Sequence, residues 1–326
     1  MKKITKLLTS FALVASLAAC GSTDSGEPKS LDEVKIGAIQ LAEHPALDKA
    51  YEGFKDALKE AGISEDQIDF QNAQGDQSNC ETIANKFVND GDDLIYAIAT
   101  PAAQAVAGKT TDIPVVVSAV TDPEAAGLVE SNEKPGTNVT GASDMNPINE
   151  QIDLLTQLVP DAKKVAIMYC SSEDNSIVQA DLAEKVLKEK GIEVERATVS
   201  ESNQISQVTE SLVGKVDAIY IPTDNMLAEG MSQVASIANE NKLPTIVGES
   251  NMCENGGMAT YSIDYYELGK LAGEMAVEIL NGEKPSEMAV RYQDASSLQL
   301  YVNQKVADQL GIEIPEDLSK DAELIK

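Results

Sequence analysis

Short apolar runs alternate with longer segments whose apolar positions recur every three to four residues, starting at Val34 and continuing almost to the end of the chain. A run of four to eight apolar residues has the length of a buried strand, and the three-to-four spacing is that of a helix with one face covered. The pattern predicts strands over 34–39, 68–73, 94–99, 114–118 and 138–142. Helices are expected over 46–61, 75–88 and from Thr100 onward. After Asn146-Pro147, a helix with apolar positions Ile148, Ile152, Leu155 and Leu158 runs to Pro160, whose ring ends it. A second set follows, with strands over 164–169, 193–198, 217–221 and 244–247 and helices over 174–190, 204–212 and 226–241. Such alternation predicts parallel sheets covered by helices on both faces.

The two halves share one order of elements without visible sequence repetition, so the fold class is α/β with two similar lobes of parallel-type sheet flanked by helices. The strand over 256–262 and the helix over 265–280 are assigned to the first lobe. A third crossing near 288–293 hands 298–310 to the second. Lobe 1 is then 34–145 with 256–290, and lobe 2 is 146–255 with 291–326. About three crossings between similar lobes imply a cleft and hinge closure on a small ligand.

Ligands of open α/β sheets settle outside the carboxyl ends of the strands. In Leu94–Pro123 the first strand ends at Thr100, which is placed to cap a helix with Pro101 in its first turn. Free amides at that helix start, near Thr100 and Ala102, favour an anion such as a carboxylate. The next strand delivers Ser118, Thr121 and Asp122 beside them.

The N-terminus has a different pattern. Lys2, Lys3 and Lys6 precede an apolar run that ends Leu17-Ala18-Ala19-Cys20, the order of a secretory signal over 1–19, and the run is too short for a comfortable membrane span. The Leu-Ala-Ala-Cys ending resembles a bacterial lipobox, which implies cleavage before Cys20 and a lipid on its sulfur. Residues 20–33 then read as a flexible tether.

The formal charge of −29 argues against nucleic acid as a partner, and loss of residues 1–19 removes lysines and no acid. Three further cysteines, Cys80, Cys170 and Cys253, show no zinc-ligand spacing. Cys170 and Cys253 are either bridged at one end of a sheet or both free. His44 is the single histidine, so no metal centre rich in histidine is expected and no cofactor is implied.

Taken together, the segments Ala42–Leu58, Gly75–Val88, ATPAAQA at 99–105, SAVTDPEAAGLV at 118–129, CSSEDNS at 170–176, IPTDNM at 221–226 and ATYSIDYYELG at 259–269 resemble the extracytoplasmic solute-binding proteins of ABC importers. The resemblance is to the type I, periplasmic-binding-protein-like family that includes tryptophan and phenylalanine binders. It implies a lipid-anchored receptor on the extracytoplasmic face of a bacterial membrane. Such a receptor hands a small solute, an aromatic amino acid, to a permease and its ATPase.

An amino acid also needs acceptors for its ammonium. Asp224 and Glu249 are the candidates, with Asn225 and Asp122 as further acceptors and Thr223 beside them. Glu43 and His44 in the first strand-to-helix loop, and Ser172 and Asn175 in the loop 171–176, face the same cleft in this architecture. Sensing in place of transport, or a nucleoside or sugar ligand, fits the same fold. An enzyme does not fit well, because Gly-x-Ser-x-Gly, P-loop, HExxH and GxGxxG motifs are all absent.

Overall fold

The structure, a computed structural model, describes residues 29–325. The signal segment 1–19, Cys20 and the tether up to residue 28 lie outside the described residues. The first sheet is built from β1 (Ile36–Gln40), β2 (Ile68–Asn72), β3 (Leu94–Ile98), β4 (Val115–Val120) and β5 (Val139–Ser143). Between these strands run α1 (Pro45–Glu60), α2 (Gln77–Asp90) and α3 (Thr100–Ala107). The second set opens with α4 (Ile148–Leu158), β6 (Lys164–Cys170), α5 (Asp174–Glu189), β7 (Glu193–Val199), α6 (Ile205–Leu212) and β8 (Ala218–Ile221). It continues through α7 (Asn225–Glu229), α8 (Met231–Glu240), β9 (Thr245–Val247), α9 (Ser250–Glu254) and β10 (Ala259–Ser262). The last elements are α10 (Tyr265–Leu280), β11 (Gln299–Asn303), α11 (Gln304–Leu310), α12 (Glu316–Asp321) and β12 (Ala322–Ile325).

Sheet one has the order β2-β1-β3-β4-β5 and is parallel throughout. Sheet two has the order β12-β11-β10-β9-β8-β6-β7 and is parallel except between β10 and β11. Continuous apolar strands such as VVV at 115–117 are buried on both faces, as parallel sheets require. Among the described residues no helix is long and apolar enough to cross a membrane.

One expected boundary is corrected. The strand at 256–262 does not return to the first lobe: β10 pairs with β9 through Ala259–Ile246 and with β11 in antiparallel register. The connection from β9 contains only the short α9 and a turn, so the chain comes back beside the strand it has just left. Gln151 of α4 fixes it there, its side-chain amide donating to Gly248 O and to Tyr261 O at 2.8 Å. Only α10 crosses back, and it packs along α1 with its apolar face in the first core.

The chain thus passes between the sheets three times, after β5, after β10 and before β11. These crossings are joined to one another. Ser143 N donates to Arg291 O, and Arg291 N to Gly141 O, each at 2.9 Å. Asp264 N donates to Gln293 Oε1 at 3.1 Å, and the Tyr265 hydroxyl donates to Asp144 Oδ2 at 2.9 Å.

The α1–α10 contact depends on missing side chains. A Cβ at Gly269 would run into the carbonyl of Ala50, and one at Gly53 into the carbonyl of Tyr266. Gly269→Ala is expected to lower stability by about 1–3 kcal/mol, the cost of overpacking where backbone must move. A urea-unfolding midpoint unchanged from the parent would sink this account of the helix pair.

Candidate ligand site between the lobes

The carboxyl ends of both sheets face one another, and the backbone there is strained at two neighbouring places. Ala99, just past β3, has φ 81°, and Ala119 within β4 has φ 53°, where the β4–β5 register shifts. A non-glycine residue at positive φ costs about 1–3 kcal/mol and persists where the surroundings over-determine it, often at a ligand site. The strain corrects one expectation. The cap position of α3 is Ala99, which has no side-chain acceptor, and Thr100 is already the first helical residue. Its hydroxyl, at 1% exposure, has no partner.

Thr100 is one of a group. Among the described residues nine buried side-chain polar atoms lack a partner, and six belong to His44 (both ring nitrogens), Thr100, Asp144, Asn146 and Asn175. His44 follows β1, Thr100 follows β3, Asp144 and Asn146 follow β5, and Asn175 lies in the first turn of α5 after β6. More than about 90% of buried polar groups find protein or water partners in native proteins, so this clustering at facing strand ends leaves groups to be filled by water or by a ligand.

Bonds across the cleft are few and polar. Gln104 Nε2 donates to Asp174 Oδ2 at 2.8 Å and Gln179 Nε2 to Thr121 Oγ1 at 3.3 Å, while on the first crossing Asn146 Nδ2 donates to Thr223 Oγ1 at 3.0 Å. Gln179 also holds Thr223 by its backbone, accepting from its N–H and donating to its carbonyl. At the cleft mouth a cavity of about 210 Å³ is lined from one lobe by Leu41, Ala42, Gln74 and Gly75, and from the other by Glu173, Asn225 and Met226.

The acids singled out in the second lobe are helix caps. Asp224 Oδ1 accepts from Leu227 N at 2.8 Å and Oδ2 from Cys170 N at 2.6 Å. Glu249 Oε2 accepts from Asn251 N at 2.6 Å and Oε1 from Met252 N at 2.8 Å. Burial pushes both above the carboxylate range, with the neighbouring Glu173 adding to the shift at Asp224; Glu249 rises to about 7.

The other predicted positions divide in the same way. Ser118 pairs with Tyr96 OH at 2.5 Å, and Asp122 accepts from Glu124 N, Ala125 N and Asn132. Asn225 donates to Glu173 through both its N–H and its side chain. Glu43 and Ser172 are exposed, whereas Ala102 is buried in the first turn of α3. Cys80, Cys170 and Cys253 are buried free thiols, and no group of three or more metal-binding side chains occurs among the described residues.

Sequence reasoning passed over Asp144. It is 2% exposed, one oxygen takes the Tyr265 hydroxyl, and the other has no partner. Burial raises its pKa to about 6, against the opposing pull of the Tyr265 and Thr121 hydroxyls. The strand-end rule that selected Thr100 selects Asp144 equally, since it directly follows Ser143 of β5.

The family described as ABC transporter substrate binding protein matches residues 35–326 of the chain. The chain belongs to that family. This ABC transporter substrate-binding protein is 44% identical to a tyrosine-binding protein of Clostridioides difficile, over 91% of this chain and 89% of that one. A Streptococcus pneumoniae ABC domain in complex with L-Trp is 41% identical and superposes with a TM-score of 0.86, covering 89% of this chain and 99% of that one. The ligand-free, open structure of a substrate binding protein with adhesive properties from Clostridium difficile is 44% identical, with a TM-score of 0.69 over 90% and 99% of the two chains. The better superposition is with the ligand complex, at the lower identity.

The buried acids set a pH dependence. Glu249 in the folded protein still holds its proton near pH 7, where the unfolded chain has released it, so stability falls as pH rises through that range. Asp144 acts in the same sense at lower pH. His44 is opposite in sign: burial lowers it to about 4, so between there and its ordinary 6.5 stability rises with pH, and above 6.5 it contributes nothing. From about pH 6.5 to about pH 8 the urea midpoint of the ligand-free protein is therefore expected to fall, and Glu249→Gln to flatten the slope. A midpoint that rises over that interval in the parent protein would refute the assignment.

Proposed function

We propose that this protein is the solute receptor of an ABC importer for an aromatic amino acid, held by a lipid on Cys20 at the extracytoplasmic face of the membrane. It delivers its ligand to a permease driven by an ATPase, and its cleft binds without catalysing. The observation that carries the reading is the unpaired, buried oxygen of Asp144, together with the unpaired hydroxyl of Thr100. These residues follow β5 and β3, which are separated only by β4, so they stand about 10 Å apart in the sheet. An α-amino acid head group fits that interval with a hydrogen bond at each side. Its ammonium pairs with Asp144. Its carboxylate meets the Thr100 hydroxyl and the first free amides of α3, where the helix dipole favours an anion. The names of the relatives, one tyrosine-binding and one complexed with L-Trp, support an aromatic side chain.

The chain has no tryptophan, so the fluorescence of added L-tryptophan reports its own binding directly. The refolded protein lacking residues 1–20 is expected to bind aromatic amino acids, with a rise in stability of about 2.7 kcal/mol at a hundred times the dissociation constant. Asp144→Asn is expected to weaken binding on the order of 10–100-fold, the scale of a charge-assisted bond lost from a buried site. Affinity is also expected to drop as pH falls below about 6, where the free protein's Asp144 takes up a proton that binding must expel. A calorimetric screen in which amino acids are silent and a sugar or nucleoside responds would overturn the reading.

A further inference from the structure

We propose that His44 reads the far edge of the ligand's aromatic ring, accepting a hydrogen bond from a phenol hydroxyl or an indole N–H and so favouring tyrosine and tryptophan over phenylalanine. This rests on the reading of the cleft given above and adds the choice among aromatic side chains. His44 is the chain's single histidine and precedes α1 directly. It is 7% exposed, and neither ring nitrogen makes a well-formed hydrogen bond, the Asn225 amide oxygen offering one of them only a weak one. A buried polar group left unpaired is costly, and the nitrogen turned away from Asn225 has no partner at all. Burial keeps the ring neutral at physiological pH, pulling its pKa to about 4 against the nearby Asn225 amide and the Asp48 carboxylate. A neutral imidazole offers one N–H donor and one bare acceptor nitrogen. A phenol hydroxyl matches both and an indole N–H matches the acceptor, whereas a phenyl ring matches neither.

The position fits the length of the ligand. His44 belongs to the first lobe and its neighbour Asn225 to the second, so the imidazole stands between the lobes. Asn225 lines the cavity at the cleft mouth. His44 follows β1 and Asp144 follows β5, three strand spacings away in the order β1-β3-β4-β5, or about 14 Å. An extended tyrosine with a hydrogen bond at each end covers that span. A short aliphatic amino acid anchored at Asp144 falls short of the imidazole.

The experiment is calorimetric titration of the parent protein, His44→Phe and His44→Gln with tyrosine, tryptophan and phenylalanine at neutral pH, alongside nitrogen NMR of the one imidazole. The parent is expected to bind tyrosine at least about ten-fold more tightly than phenylalanine, the scale of one buried nitrogen left unpaired. In His44→Phe the ratio should collapse to within about two-fold of unity, while His44→Gln, which keeps a donor and an acceptor, should retain part of it. Tyrosine and tryptophan should shift the ring-nitrogen resonances and phenylalanine should not. A parent ratio near one, or a preference that survives in His44→Phe, overturns the assignment of His44 alone. Failure of all three ligands to bind the parent overturns the reading of the site and this inference with it.

Discussion

A carboxyl group buried where three chain crossings meet is the constraint on which the rest of this molecule depends. Asp144 is fixed by the turn after β5, where Ser143 Oγ donates to Thr121 O at 2.7 Å and accepts from Met145 N at 3.1 Å. From the second crossing comes the Tyr265 hydroxyl, and from the third the Arg291 backbone pairs with Ser143 next door. Taking a carboxylate out of water costs several kcal/mol unless charge and hydrogen bonds replace its hydration. Neutral hydroxyls, of Tyr265 and Thr121, supply a fraction of that replacement, so burial still holds the pKa near 6. Under the proposed binding mode a ligand's ammonium would supply the remainder, which would tie the crossing region and the binding site into one energetic unit.

The cleft follows from the same economy of polar groups. The direct bonds between lobes are Gln104 to Asp174 and Gln179 to Thr121, the second between neutral partners. Each such bond is worth about 1 kcal/mol net, since water satisfies the same groups when the lobes separate. Two of them do not clamp two domains. Under the proposed binding mode, a ligand bonded to both lobes would add charge-assisted contacts of about twice that strength and would outweigh those direct bonds.

Much of the fold is legible in the sequence because its signals are local. Strand lengths, helix starts and the two-lobe division follow from apolar spacing alone, and most elements fall within a residue or two of expectation. The path of β10 is not local. Nothing in Ala259–Ser262 states which sheet it joins; that is decided by Gln151, more than a hundred residues earlier, and by the short return from β9. Thr100 was legible as a strand-end residue but not as an unpaired one. The helix start shifted by one residue when Ala99 took a positive φ, which its sequence neighbours do not announce.

The acids show why residue type is a poor guide to role at such an edge, and what a better guide is. Asp224 and Glu249 each stand immediately before a helix, α7 and α9, so free backbone amides lie within reach of both their oxygens. Capping consumes them. Asp144 also ends a strand turn, but the chain runs on through Met145, Asn146 and Pro147 before α4 begins at Ile148, and the residue at the cap position is the proline itself. No helix start is close enough to absorb its second oxygen. In this chain the spacing to the next helix, a quantity the sequence contains, separates the two cases: one residue makes Asp224 and Glu249 caps, and four leave an oxygen of Asp144 free for the proposed ligand.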